Sequence, residues 1–126
     1  MAKTVATLVG VVFILVGICG FIKPDLLGAH LSTVHNVIHL VSGAVSLYFG
    51  VKGTLSQARA FCLVFGIVYG LLGVVGLFAG VGDDKMLKLP ADLMLGKMDH
   101  YIHILIGILY LLGGLATKAS AARAEA

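Results

Sequence analysis

Four stretches of this chain are apolar over about the length a helix needs to cross a bilayer, and they account for most of its 126 residues. They run roughly over residues 4–22, 34–51, 60–81 and 100–117. At ~1.5 Å of rise per residue, ~20 residues cover the ~30 Å of hydrocarbon. Lipid offers no partner to a backbone N–H or C=O, so each run is expected to satisfy its own backbone as a helix. A chain that is 60% hydrophobic and 12% charged, with a mean hydropathy of +1.07, lacks the polar surface of a soluble bundle. The expectation is an all-α membrane protein: four transmembrane helices in a single domain over residues 1–126. The first run, behind Met1, Ala2 and Lys3, occupies the place of a signal peptide. Its end, VGICGFIKP, lacks a clean small-x-small cleavage site, and the run has a counterpart later in the chain, so it reads as a retained helix.

That counterpart belongs to an internal repeat. GVVFILVGICGF from Gly10 parallels GIVYGLLGVVGL from Gly66, with Gly10, Gly17 and Gly20 falling on Gly66, Gly73 and Gly76. IHLVSGAVSLYFG parallels IHILIGILYLLGG, with Ile38, His39, Gly43 and Gly50 on Ile102, His103, Gly107 and Gly114. The offset is 56 residues for the first helix of each half and 64 for the second, so the connecting loop of the second half is the longer. Halves of two helices each, about 4–52 and 60–118, enter a membrane in the same sense. They are expected as tandem hairpins about a pseudo-twofold axis along the membrane normal. Cys19 and Cys62 then lie near opposite ends of the bundle, beyond the ~7 Å reach of a disulfide, and read as small packing residues.

Lys3, Lys52, Arg59, Lys118 and Arg123 stand at one end, with Glu125. Lys23, Lys85, Lys88 and Lys97 stand at the other, among Asp25, Asp83, Asp84, Asp92 and Asp99. The first group flanks its helix ends closely, which favours cytoplasmic N- and C-termini, with a basic tail against anionic lipid heads. All five histidines, His30, His35, His39, His100 and His103, fall on the opposite, outer side. His35, His39, Ser42 and Ser46 make one stripe on the second helix; Asp99, His103, Gly107, Tyr110 and Gly114 make its counterpart on the fourth. Each half therefore presents a pair of polar groups four residues apart, stacked one above the other.

Three readings of this cluster compete. The groups can be interhelical glue, with Asn36, Ser42 and Asp99 as hydrogen-bond partners for imidazoles buried in lipid. They can form a metal site of His35, His39, Asp99 and His103, with His100 or His30 as a further ligand; imidazole and carboxylate together suit Zn, Cu or Fe rather than Mg or Ca. Or His39 and His103, at equal depth, can be the axial ligands of a haem, with Gly43 and Gly107 one turn away making room for the ring. No nucleophile–base pair, phosphate-binding loop or nucleic-acid patch is present. Gly66-x-x-x-Gly70 and Gly76-x-x-x-Gly80 read as close-packing faces, which also admits a homo-oligomer or contact with another membrane protein. The polar stretch GVGDDKMLKLPADLMLGKMDH interleaves Leu and Met with Lys and Asp, and reads either as a short amphipathic piece at the interface that lids the histidines or as an ordinary solvated connector.

HNVIHLVSGAVSL, MDHYIHILIGILYL and the LVGICGFIKP ending of the first helix together resemble the bacterial domain-of-unknown-function family 4383, over about residues 4–117. That family's pattern places Asn-x-x-His at both helix starts, with Asp before the second. Asn36 and His39 fit the first copy, and Asp99 and His103 the second; His100 stands where Asn is expected, and His35 adds an imidazole. The resemblance implies a small four-helix protein of the bacterial inner membrane and carries no assigned activity. The sequence reading is thus a non-enzymatic membrane protein whose His/Asp/Asn cluster joins helices and has the ligand types to bind a transition metal. Its alternative is an electron-transfer or quinone-associated subunit carrying haem. Transport has little support, because one polar band near one face makes no path across.

Overall fold

The four apolar runs are helices, and the residues that bound them explain where they stop. In the computed structural model, which describes residues 1–118, α1 spans Ala2–Ile22 and ends where Pro24 forces Lys23 into an extended conformation (φ −133°, ψ 90°). α2 spans Thr33–Leu47 and starts at Ser32, whose hydroxyl accepts from the His35 N–H at 3.3 Å. Its last turn widens into a π-turn over Tyr48–Lys52 before Gly53. α3 spans Leu55–Ala79 behind a reciprocal cap: Gln57 N–H donates to the Thr54 hydroxyl at 3.1 Å, and Thr54 N–H to the Gln57 side chain at 3.0 Å. α4 spans Lys97–Ala116, with the Asp99 carboxylate reaching back to accept the Gly96 N–H at 2.8 Å. All four are long and apolar enough to cross a membrane, and the chain is a multi-pass membrane protein by that length and composition. Arg123 and Glu125, part of the charge pattern read from the sequence, lie outside the described residues.

The distribution of bulk follows from a hydrocarbon solvent. The interior is built from Ala2, Ala6, Phe13, Ala58, Cys62 and Tyr110, whereas Leu15, Ile18, Leu71 and Leu112 face outward and Phe78 is 87% exposed. In water such a surface would aggregate; in lipid it is the solvated face, and small residues inside let backbones approach. α1 packs closely along α2, and α3 along α4. At Gly17 an added Cβ would lie 2.8 Å from Leu40 and 3.1 Å from the Asn36 carbonyl; at Gly73 it would lie 2.5 Å from Ile104 and 2.6 Å from the His100 carbonyl. Neither helix pair can close this far with a larger residue there. Both cysteines are free; Cys62 is buried, Cys19 exposed.

The connection between α3 and α4 carries the stretch whose sequence interleaves Leu and Met with Lys and Asp. It is a two-stranded antiparallel hairpin, β1 (Leu87–Leu89) and β2 (Leu93–Leu95), with Leu87 opposite Leu95 and Leu89 opposite Leu93. Alternation of Leu with Lys88 and Met94 has a period of two, which suits a strand. Pro90 opens its turn, and Ala91 and Asp92 both sit at positive φ (63° and 57°), as a mirror-image hairpin turn demands. The hairpin presses Leu95, 1% exposed, into the end of the bundle.

Candidate metal centre

At the hairpin end of the bundle, three of the five histidines converge. His35 and His39 lie four apart on α2, their ring centroids 4.2 Å apart, and His103 on α4 brings its ring to 5.8 Å from that of His35. One ring nitrogen from each of the three lies within 4.8 Å of the others, and all three residues are buried. Phe13 packs on His39 at 5.4 Å and Tyr69 on His103 at 5.6 Å, so an aromatic ring from α1 or α3 backs these two imidazoles.

The hydrogen bonds determine which atoms are free. His35 Nδ1 lies 2.8 Å from the His30 carbonyl. A carbonyl only accepts, so Nδ1 carries the proton and Nε2 carries the lone pair. Nε2 is buried without a partner among the described residues. A backbone carbonyl that fixes a histidine's tautomer in this way is the usual support of a metal-ligating imidazole. His39 and His103 make no side-chain hydrogen bond among the described residues, and the Nδ1 of each is buried and unpaired. Leaving such an atom dry costs ~1–3 kcal/mol. An ion bound through one nitrogen of each ring would be held by three neutral imidazoles, with a coordination position left over. Bonds of ~2.0–2.1 Å in a tetrahedral site place the nitrogens roughly 3.3 Å apart, so the rings close inward on such an ion.

The other residues singled out in the sequence stand apart from this group. Asp99 is 2% exposed and committed to the loop between α1 and α2: besides Gly96 it accepts from the His30 N–H at 3.0 Å and from His30 Nδ1 at 3.2 Å. His30 also approaches Asp84 at 3.4 Å through Nε2, so it is a bridge between loop, hairpin and α4. His100 donates Nε2–H to the Lys85 carbonyl at 2.6 Å and packs its ring on Gly76. Asn36 donates to the Leu31 carbonyl at 3.3 Å and packs on Gly20. Ser42 accepts from the Tyr69 hydroxyl at 3.0 Å. A pointer to the bridging role of His30 was absent from the sequence. The capping role of Asp99 was available in Gly96-x-x-Asp99, an acidic residue in the first turn of a helix.

The space a haem would need beside Gly43 and Gly107 is taken. A Cβ at Gly43 would meet Ile14 and the Gly10 carbonyl, and one at Gly107 would meet the Gly70 backbone at 2.6 Å, so neighbouring helices fill both notches. What does open beside the histidines is a cavity of about 300 Å³, lined by Ser42, Phe65, Val68 and Tyr69 and closed at one side by Leu93 and Leu95 of the hairpin.

None of the curated proteins and none of the solved structures matches this chain. The family model described as a domain of unknown function (DUF4383) does match it, over residues 3–116, and with nearly its whole length covered the chain belongs to that family.

Proposed function

We propose that this membrane protein binds one transition-metal ion, Zn, Cu or Fe, through His35, His39 and His103. The observation that carries the reading is the convergence of three buried imidazoles, each with an unpaired ring nitrogen. Asp99 is left out of the ligand set, because its carboxylate is already taken up by backbone and imidazole N–H groups. It acts one step removed: it holds His30, whose carbonyl orients His35. With Asp99 so occupied, no general base stands beside the group among the described residues, and the reading is of ion binding rather than catalysis.

Two tandem hairpins related by a pseudo-twofold axis frame the site in this reading. Supporting it, Gly10 packs on Leu47 as Gly66 packs on Leu111, each partner displaced by the repeat offset. Phe13 against His39 is matched by Tyr69 against His103. Ser46 and Tyr110, equivalent in the repeat, bond to one another at 2.8 Å, as residues astride such an axis would. Lys3, Lys52, Arg59 and Lys118 at the opposite end favour cytoplasmic termini, which would put the ion near the outer face of a bacterial inner membrane.

The test is elemental analysis of untagged protein purified without chelator. The expected result is one equivalent of metal, lost in the His39→Ala/His103→Ala double variant. Protein free of metal, and still unable to take up zinc, copper or iron when these are supplied, would leave the histidines as helix-joining groups.

A further inference from the structure

The cavity beside the three histidines has two kinds of wall. His35, His39, Ser42 and His103 supply its polar lining; the rest is Phe65, Tyr69 and aliphatic side chains. Ile38 and Val68, which also line it, are 38% and 53% exposed on the outer surface of α2 and α3. On a membrane-spanning bundle that surface meets acyl chains, so the cavity communicates with the bilayer between α2 and α3. Its volume of about 300 Å³ is at the small end of the range for small-molecule sites.

A ligand for this space arrives through lipid, so it is apolar over most of its body. It ends in an oxygen group that suits both the triad and Ser42. Three neutral imidazoles leave a divalent ion its full charge and an open position, and an oxygen donor completes it. A free carboxylate carries a large desolvation cost into such a site, whereas a hydroxyl enters neutral. Ser42 Oγ, which accepts from Tyr69 at 3.0 Å, retains a lone pair for a ligand O–H. The rings of Phe65 and Tyr69, 6.1 Å apart, favour an aromatic body over a single acyl chain.

We infer that the cavity binds the head of a lipid-soluble phenol or hydroquinone, admitted from the bilayer between Ile38 and Val68, with its hydroxyl oxygen on the open position of the histidine-bound ion. The hydroxyl keeps its proton and donates a hydrogen bond to Ser42 Oγ; no proton, electron or group transfer is part of the inference. The inference rests on the metal reading above, and native mass spectrometry separates the two because it weighs metal and ligand on the same molecule.

The experiment uses the full chain in lipid nanodiscs with decylubiquinol as probe, its dimethyl ether as a control without O–H groups, and oleate as a carboxylate competitor. The expected result is one decylubiquinol per metal-loaded chain, with binding at least tenfold weaker for the dimethyl ether. Val68→Trp, which plugs the opening from the exposed face of α3 without removing a metal ligand, is expected to keep its metal and lose the ligand; Leu72→Phe serves as a smaller plug if that variant does not fold. Metal-loaded protein that takes up no decylubiquinol, that binds the ether equally, that is indifferent to the plug, or that prefers oleate overturns this inference and leaves the metal site standing. A chain that carries no metal overturns both.

Discussion

Replacing His35 by Ala and Asp99 by Asn should have opposite effects on stability and on metal binding, although both residues are buried and polar. His35 Nε2 is an unpaired lone pair in the interior. Removing the ring relieves a desolvation cost of ~1–3 kcal/mol, leaves a void that costs a similar amount, and gives up the bond to the His30 carbonyl, worth ~1 kcal/mol. The metal-free His35→Ala protein is therefore expected to lose about 1 kcal/mol relative to the parent. Its larger loss appears when the ion is present. A ligand at 100 times its dissociation constant stabilises the folded state by ~2.7 kcal/mol, and a variant without the site gains none of that.

Asp99→Asn reverses the pattern. The carboxylate accepts from Gly96 N–H at 2.8 Å, His30 N–H at 3.0 Å and His30 Nδ1 at 3.2 Å. An amide keeps one oxygen and sets an NH2 against the remaining donors, so the metal-free protein is expected to lose ~2–3 kcal/mol. Its metal-linked gain survives in part. Loosening the His30 carbonyl weakens the site roughly tenfold, as loss of outer support does, and that still leaves ~1.4 kcal/mol of the gain. The assay is equilibrium unfolding in mixed micelles, with and without zinc. The reasoning is refuted if Asp99→Asn abolishes the zinc-linked gain while His35→Ala retains it, because Asp99 would then be a ligand and His35 a spectator.

Two further substitution pairs test the packing around the site. Ser46 donates to the Ala6 carbonyl at 2.6 Å and so accepts from Tyr110 at 2.8 Å; Tyr110→Phe should cost ~0.6–1 kcal/mol, and Ser46→Ala ~2–3 kcal/mol because it strands the tyrosine hydroxyl, in the same unfolding assay. Gly76→Ala drives a methyl into the His100 ring, whereas a Cβ at Gly70 meets nothing within 4 Å; the first should lose ~1–3 kcal/mol and the second stay within ~0.5 kcal/mol, and equal losses would mean that helix flexibility rather than steric fit is being measured.

How far these features can be read from the sequence depends on the kind of signal each leaves. Apolar length marks the helices, but α3 begins at Leu55 and α4 at Lys97 rather than at the first apolar residues. The polar first turns, Ser56 to Arg59 and Lys97 to Asp99, are helical because of caps, and hydropathy does not register a cap. The strand period of Leu87, Leu89, Leu93 and Leu95 is too short to stand out until Pro90 is taken as the turn. The i, i+4 spacing brings His35 and His39 together correctly, because both rings stack on one face of α2. The same spacing pairs Asp99 with His103, yet a carboxylate in the first turn of a helix is drawn back to its own N-terminus. Spacing along one helix says which side chains share a face; it does not say what each meets from the other elements.

That distinction bears on whether the histidines join helices or hold an ion, and the rest of the bundle supplies the comparison. Where polar groups serve as joints, they are paired: Ser46 with Ala6 and Tyr110, Ser42 with Tyr69, Thr117 with Ala2 and Gly113. Asn36 and His100 each leave one atom unpaired, but each also makes one hydrogen bond to a loop carbonyl and fills the notch above a glycine. His39 and His103 have neither a bond nor a notch. Their rings are held by Phe13 and Tyr69, which fix orientation and satisfy no nitrogen. A leucine at either position would pack as well and avoid the desolvation cost. A pair of imidazoles kept dry, oriented and unbonded beside a third whose tautomer is fixed from outside is costly as glue, and becomes favourable once an ion occupies the space between them.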